Sequence, residues 1–434
     1  MAQPLQSWIS QNWILRMRLL ATSVALGLAI LATPSTQAQT YTKTILHNFT
    51  GTDGWGPGTR LIMDKAGNLY GTTEEGGNLA LCNGRGCGVV FKVDAGGKET
   101  VLHAFTGPDG AVPMGRLTMD ATGNLYGTTS NGGAIQSSCF GGCGTVFKLD
   151  TSGTYTVLYN FRGHQYGEYP RGGLLLVGAG YFFGTAAAGG IPCELSGQRC
   201  GVVFKLAPTS GGGSTYTVLY RFAGPPDGAL PAGEVTRDTQ AYLYGTTTSG
   251  GASDNGTVFK VRAHKESVVY RFAGGADGDG PIGGLLLDSA GNLFGATYEG
   301  GDMGCGFNDL GCGTVYKLDT SGKKTILYAF IGGTDGAYPT DRLVTDSAGN
   351  LYGTTGLGGG TGCFPSQGCG TVFKLDKTGK EALLYTFLGG GDGYFPAAGL
   401  AIDAAGNLYG TTAAGGGTAC DGYGCGTVFK LTPQ

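Results

Sequence analysis

Gly-Asn-Leu-Tyr-Gly-Thr-Thr reads at Gly67–Thr73 and recurs unchanged at Gly123–Thr129, Gly349–Thr355 and Gly406–Thr412. Worn copies stand at Gly291–Thr297, Tyr181–Ala186 and Tyr242–Thr247. The glycine inside each copy falls at Gly71, Gly127, Gly184, Gly245, Gly295, Gly353 and Gly410, in steps of 56, 57, 61, 50, 58 and 57 residues. Self-similarity at so long a period marks a propeller or an array, and it overrides a domain count based on length. The units run from about Tyr41 to the final residues and leave no stretch for a second domain.

Within the last full unit, Glu381–Leu431, four runs have strand length and strand composition: Leu383–Phe387, Gly399–Asp403, Asn407–Thr412 and Gly426–Leu431. They are rich in Val, Ile, Leu, Tyr, Phe and Thr, are punctuated by Gly and Asp, and show no 3.6-residue period. Four antiparallel strands in each of seven units predict an all-β, seven-bladed β-propeller. A β-helix is the runner-up, with repeats far shorter than these. Two of the connections in each unit are tight: Asp-x-x-Gly-Asn, as at Asp64–Asn68, and Asp-x-x-Gly, as at Asp150–Gly153. The other two are long: a cysteine-bearing loop and Gly-x-x-Asp-Gly-x-x-Pro. In a meander these kinds fall on opposite faces, so the long loops share the face where binding is expected.

Gly accounts for 87 of 434 residues without the every-third spacing of collagen, and 41% hydrophobic residues suffice for a core. Charged residues are only 14% and the net charge is −3, so no basic stripe offers itself to nucleic acid. Arg16 and Arg18 precede the apolar run Leu19–Ala32, and Pro34–Ala38 supplies a polar, small-residue end. Residues 1–38 therefore read as a signal peptide region, with Met17 the more natural start, and 39–434 as a single propeller domain. The apolar run is too short for a permanent membrane span. Export to the periplasm or the extracellular space is the expectation. Twelve cysteines form six close pairs: Cys82/Cys87, Cys139/Cys143, Cys193/Cys200, Cys305/Cys312, Cys363/Cys369 and Cys420/Cys425. The fourth unit lacks both members, as a bonded pair would be lost. Disulfides are expected, and zinc is disfavoured because each site offers two thiols and no nearby His.

The unit Val-Leu-Tyr-x-Phe … Asp-Gly-x-x-Pro … Leu-x-x-Asp-x-x-Gly-Asn-Leu-Tyr-Gly-Thr-Thr … Gly-Cys-Gly-Thr-Val-Phe-Lys-Leu is similar to the GloVer-type tandem repeat of bacterial exported proteins. Family members often carry a C-terminal sorting segment, from which this chain departs by ending three residues after Leu431. The family carries no activity over. Pro396–Tyr409 resembles, more distantly, NHL-type propeller repeats, in which the Gly-Leu-x-x-Asp strand is innermost. That likeness implies that Gly399–Asp403 and its equivalents line the axis. It also implies that Thr44–Phe49 completes the last blade beside Gly426–Leu431, leaving no open edge.

Seven copies can be compared with one another. The Lys after Val-Phe (Lys92, Lys148, Lys205, Lys260, Lys317, Lys374, Lys430) is constant and reads as a stem packing between blades. The loop Asp (Asp53, Asp109, Asp227, Asp277, Asp335, Asp392) reads as turn chemistry rather than a metal ring. The residue ahead of the inner-strand Leu or Val varies: Arg60, Arg116, Gly173, Glu234, Gly284, Arg342, Gly399, with Asp341 and Arg171 nearby. These charges are expected at the channel mouth, either bracing it through mutual salt bridges or holding an anionic or hydroxyl-rich ligand. Loop aromatics, among them Trp55, Tyr338, Tyr394, Phe140, Phe307 and Phe364, suit sugar stacking or plain packing. His47 and His103 stand where five copies have Tyr and read as structural. No catalytic residue, metal or cofactor is called for, and a Gly-x-Ser-x-Gly elbow is absent. The leading reading is an exported binding module for glycans or other polar ligands. Behind it stand a structural or protein-interaction module of the envelope and, third, a lyase- or lactonase-like enzyme using the channel mouth. Carbohydrate or an envelope protein is the expected partner of a monomer.

Overall fold

The computed structural model describes residues 40–434 except 135–138, 140, 179, 194–198, 210–212, 303, 306–309, 361 and 364–366. The signal-peptide reading of 1–38 and the loop residues Phe140, Phe307 and Phe364 lie outside the described residues. Seven antiparallel sheets follow one another, each with four strands in radial order, two of them with a further short strand paired onto the second. The protein is an all-β seven-bladed propeller. The first blade runs Ile62–Met63, Leu69–Thr73, Val89–Val93 and Glu99–Ala104. The first strand of the chain, Tyr41–Asn48, lies antiparallel to Thr427–Pro433 with Thr44 opposite Lys430, as the fourth strand of the last sheet.

The glycine of Gly-Thr-Thr has a packing reason. In every blade it lies directly opposite the aromatic residue of the third strand: Gly71 to Phe91, Gly127 to Phe147, Gly184 to Phe204, Gly245 to Phe259, Gly295 to Tyr316, Gly353 to Phe373 and Gly410 to Phe429. The ring lies back across the glycine, so a Cβ on Gly71 would sit 2.6 Å from Phe91 Cζ and 2.8 Å from Leu61 Cδ2. The other face of that ring meets the preceding blade. Phe49, Phe105, Phe161, Phe222, Phe272, Phe330 and Phe387, just past the outer strands, each make an edge-on contact with the third-strand aromatic of the following blade, at 5.0–5.4 Å between centroids. All fourteen rings are buried. A continuous belt of quadrupole-matched pairs therefore joins the blades.

The polar residues of the motif are used locally. Asp64 accepts from the backbone N–H of Ala66 and Asn68, from the Asn68 amide and from Tyr70 Oη, closing the tight turn ahead of the second strand. The first Thr of the pair reaches the following blade: Thr128 Oγ1 donates to the Gly172 carbonyl and Thr354 Oγ1 to that of Ala398. The second pairs with the third-strand Thr, as Thr129 does with Thr145 at 2.8 Å. The repeated Lys packs within its own blade rather than between blades. Lys205 Nζ lies 4.3 Å from the centroid of Tyr181, and Lys430 lies 5.6 Å from that of Tyr409. Second-strand and third-strand residues face one another across one sheet, which brings that ammonium over the neighbouring ring.

All six expected cysteine pairs are disulfides: Cys82–Cys87, Cys139–Cys143, Cys193–Cys200, Cys305–Cys312, Cys363–Cys369 and Cys420–Cys425. They fit an oxidising, exported environment, and among the described residues no helix is long and apolar enough to cross a membrane. Their place differs from an exposed binding loop in one respect. The second cysteine of every pair is buried: Cys87, Cys143, Cys200, Cys312, Cys369 and Cys425 are core residues. Cys143 packs in one cluster with Phe161, and Cys425 in another with Phe49, two of the aromatic rings just past the outer strands. The reason is position: each of these cysteines stands two residues before the buried third strand, so the chain has already turned inward there. The six sulfur pairs therefore staple the loop to the core and present no ligand-binding surface at their second member.

The disulfide loops also support the next blade. The residue before each loop proline has positive φ in all seven copies: Gly56, Val112, Tyr169, Leu230, Gly280, Tyr338 and Phe395, between +54° and +67°. Its N–H donates to the carbonyl of the buried cysteine of the preceding blade: Gly56 to Cys425, Val112 to Cys87, Tyr169 to Cys143, Leu230 to Cys200, Tyr338 to Cys312 and Phe395 to Cys369. In the copy without cysteines Asn255 supplies that carbonyl to Gly280. Five of these residues are not glycine, so the backbone is strained there by about 1–3 kcal/mol each and is held by the loop beneath.

Candidate functional site at the propeller axis

The strained residue and its proline turn each long loop inward to the first strand of the blade. At the start of that strand, four side chains from four blades meet. Glu234 Oε1 accepts from Arg116 Nη1 at 2.8 Å; its Oε2 lies 3.4 Å from Arg60 Nη2 and 3.6 Å from Arg342 Nη1. Residues of the first, second, fourth and sixth blades converge only if this strand edge faces the axis. The Gly-Leu-x-x-Asp strand is thus innermost.

Glycine and charge share this ring for a steric reason. A Cβ on Gly173 would lie 3.0 Å from the Arg116 carbonyl oxygen, and one on Gly284 3.0 Å from that of Glu234. On Gly399 it would lie 2.8 Å from the Arg342 carbonyl oxygen and 3.3 Å from Arg60 Cδ. The three glycines admit the four long side chains beside them. The Arg60 and Glu234 side chains are each 10% exposed, so the cluster fills the axis as a layer. Burial, then the nearby Arg116 charge, brings the Arg60 guanidinium down to about 10, against the pull of Glu234 and Asp341. Burial alone would raise the Glu234 carboxyl, but Arg116, Arg60 and Arg342 carry it below its ordinary value. Asp341 braces the layer, accepting from the backbone N–H of Arg342 and of Gly399.

Toward the long-loop face the mouth is asymmetric. Arg171 stands two residues ahead of the ring, and its Nε is buried with no hydrogen-bond partner, as are Nε of Arg116 and of Arg342. Glu74 was not singled out from sequence. It follows Gly-Thr-Thr, where the other copies carry Ser130, Ala187, Thr248, Tyr298, Gly356 and Ala413. The comparison of copies that exposed the arginines would have exposed it too. Its Oε1 lies 2.9 Å from where a Gly58 Cβ would be, so it covers that glycine. Burial, with Glu75 adding to it, pushes Glu74 up to about 7 despite Arg171. At the equivalent position across the ring, Tyr298 stacks on Tyr338 at 4.8 Å.

The loop aromatics divide. Tyr338 is buried, only 3% exposed, and belongs to the packing of the mouth. Trp55 is paired through its backbone with Glu75 and carries the Arg85 guanidinium 4.8 Å above its ring. Arg85 in turn reaches Glu75 and Asp421. Tyr394, at the position equivalent to Trp55, is half-buried and paired through its backbone with Ala414. His47 and His103 take the place of Tyr in its hydrogen bond: each lies 3.0 Å or 2.9 Å from the loop Asp, where Tyr220, Tyr328 and Tyr385 donate in other blades. The loop Asp also accepts from backbone N–H, as Asp227 does from Ala223, which ties up its oxygens within the turn. Surface clefts occur on the opposite, tight-turn side, one about Asp120, Tyr126, Lys148 and Phe182.

Fold and axis together define a seven-bladed propeller of disulfide-bearing repeats with a charged axial layer. The chain belongs to the Gloeobacter/Verrucomicrobia repeat family, whose pattern matches residues 31–195 and 308–434. No curated protein sequence matches it. Among solved structures it is similar to virginiamycin B lyase from Staphylococcus aureus, at 14% identity and a TM-score of 0.56, over 91% of this chain and all of that one. It is also similar to a fungal alcohol oxidase of the AA5 family in complex with copper, at 14% identity and a TM-score of 0.54, over 92% of this chain and 77% of that one. Likeness at this identity shows the shared fold and leaves the chemistry to the site.

Proposed function

We propose that the protein is an exported propeller whose axial mouth binds a polar, anionic ligand, with acidic carbohydrate the best fit. One observation carries this reading. Three guanidiniums share a single carboxylate, and the Arg116 and Arg342 side chains keep 28% and 20% of their surface exposed. A carboxylate or sulfate on a sugar supplies the acceptors that this layer lacks. Half-buried Tyr298, whose ring stacks on Tyr338, is the aromatic group a sugar body would meet at this mouth.

A second reading has its own support. A carboxyl poised at about 7 beside an arginine is suited to general acid–base work, so Glu74 would be the proton-transfer group of a lyase- or lactonase-like reaction. Both readings are tested on an array of neutral and acidic glycans, with wild type, Arg171→Gln and Glu74→Gln compared. Retention of acidic glycans by wild type and Glu74→Gln, with loss in Arg171→Gln, supports binding. Chain shortening of an array glycan by wild type, abolished in Glu74→Gln, supports catalysis. No retention of any acidic glycan overturns the first reading.

A further inference from the structure

One position on the outer strand differs in chemistry from blade to blade while holding the same place. It pairs with the last core residue of the third strand: Lys43 with Leu431, Glu99 with Val93, Tyr155 with Leu149, Tyr216 with Leu206, Glu266 with Val261, Lys324 with Leu318 and Glu381 with Leu375. From here the side chain crosses the seam to the long loop of the preceding blade. At four seams it donates a hydrogen bond to a loop carbonyl. Tyr155 Oη donates to Asp109 O at 2.7 Å and Tyr216 Oη to Tyr166 O at 2.5 Å. Lys43 Nζ donates to Asp392 O and Lys324 Nζ to Asp277 O. The two ammonium groups also meet the carboxylates of Asp392 and Asp277, at 2.9 and 3.0 Å.

The other three seams carry glutamate, which as a carboxylate has no hydrogen to donate. Glu99, Glu266 and Glu381 each have Oε1 buried without a partner. At the Glu381 seam Asp335 Oδ1 is buried and unpartnered as well. Two carboxylates with buried oxygens facing each other are disfavoured against a pair that shares one proton.

We propose that Glu99, Glu266 and Glu381 are held protonated in the folded propeller and act as hydrogen-bond donors to the loops of Asp53, Asp227 and Asp335, so that three of the seven seams tighten in mild acid and loosen in mild alkali. The groups facing them fit. Glu99 faces Asp53 and His47; Glu266 faces Asp227, Arg271 and Tyr220; Glu381 faces Asp335 and Tyr328. Burial pushes all three carboxyls up to about 7, and each aspartate adds to it, while His47 and Arg271 oppose. The folded state thus binds these protons more tightly than the unfolded chain. Their contribution to stability is complete below the ordinary carboxylate range and is lost as pH rises through about 7.

Glutamine tests this, because its amide donates at every pH. The melting temperature of wild type and of the triple variant E99Q/E266Q/E381Q is followed from about pH 5.5 to about pH 8.5. Wild type is expected to lose several degrees across that window, while the variant loses markedly less, keeping only the share that Glu74 contributes, and lies above wild type at the alkaline end. Equal slopes in the two proteins, or a variant that lies below wild type by a constant amount, would overturn the proposal. Carbon-13 shifts of the glutamate carboxyls read the same groups without substitution, should the variant fail to fold. Midpoints near 7 for Glu99, Glu266 and Glu381, beside that of Glu74, support the proposal, and all three of these carboxyls titrating below about pH 5 sink it. Glu381→Lys, copying Lys43 and Lys324, is expected to raise the melting temperature at the alkaline end.

Discussion

Glu234 is the single carboxylate that lets three guanidiniums share the axis. Glu234→Gln leaves buried cations facing one another, and the loss of stability should reach about 3–5 kcal/mol, read by denaturant unfolding. A loss under about 1 kcal/mol would mean that water already screens the layer. The pH dependence has a definite sign. Because the arginines hold Glu234 below the usual carboxylate range, its stabilisation is present above the unfolded value and fades as pH falls through the folded one. The acid limb of the stability curve should therefore be shallower in Glu234→Gln than in wild type. Gly127 offers a second test at this scale. Its Cβ would meet Phe147 Cζ at 2.6 Å, so Gly127→Ala should cost about 1–3 kcal/mol. Adding Phe147→Leu should recover part of that cost, since the smaller side chain vacates the space, and a double-mutant cycle measures the coupling.

At the scale of the element, the cysteine loop and the strained residue above it work as a pair. Each disulfide closes a loop of only a few residues and should contribute about 2 kcal/mol. The loop also presents the carbonyl that fixes the positive-φ residue of the next blade. Replacing both Cys363 and Cys369 by Ser should lower the melting temperature and raise amide exchange at Phe395, whose N–H is held by Cys369, while Val112 stays protected. Unchanged exchange at Phe395 would show that the proline and the strand suffice. Much at this scale was legible in the sequence. Gly-Asn-Leu-Tyr and Asp-x-x-Gly spell turns through local hydrogen bonds, and vanishing cysteine pairs spell disulfides. The burial of the second cysteine, as at Cys143 and Cys425, was less so, because spacing shows which thiols can meet and not which of them the neighbouring blade covers. The positive φ at Val112, Tyr169 and Leu230 was not legible. None of these residue types favours that conformation; it is imposed by a carbonyl distant in sequence.

For the whole molecule, the seven-fold period decided the architecture because only a ring of blades gives every copy the same neighbours. The asymmetric axis was half legible. Arg60, Arg116, Glu234 and Arg342 stood out by breaking a glycine position, and the structure brings all four together. Glu74 is legible in the same way, as a charge where the other copies carry Ser130, Ala187, Thr248, Tyr298, Gly356 and Ala413, but the burial that raises its carboxyl is not. Arg171 and Asp341 lie at the same mouth, but Asp341 is spent on backbone N–H groups. The strand Tyr41–Asn48 carries a prediction for the ring itself. Its deletion uncovers the edge of Thr427–Pro433 and should produce oligomers by size-exclusion chromatography, where the intact domain runs as one species. A deleted form that stays monomeric with an unchanged melting temperature would show that the last blade stands without it.

The most direct measurement is a calorimetric titration of the folded domain with a uronic-acid oligosaccharide, with Arg116→Gln and a neutral oligosaccharide of the same length alongside. The axial site requires exothermic binding of the acidic sugar that weakens with added salt, is lost or cut at least about tenfold in Arg116→Gln, and is absent with the neutral sugar. Equal heats from wild type and Arg116→Gln would place any binding elsewhere on the molecule, and no heat from either sugar would remove the axis as a site for acidic carbohydrate.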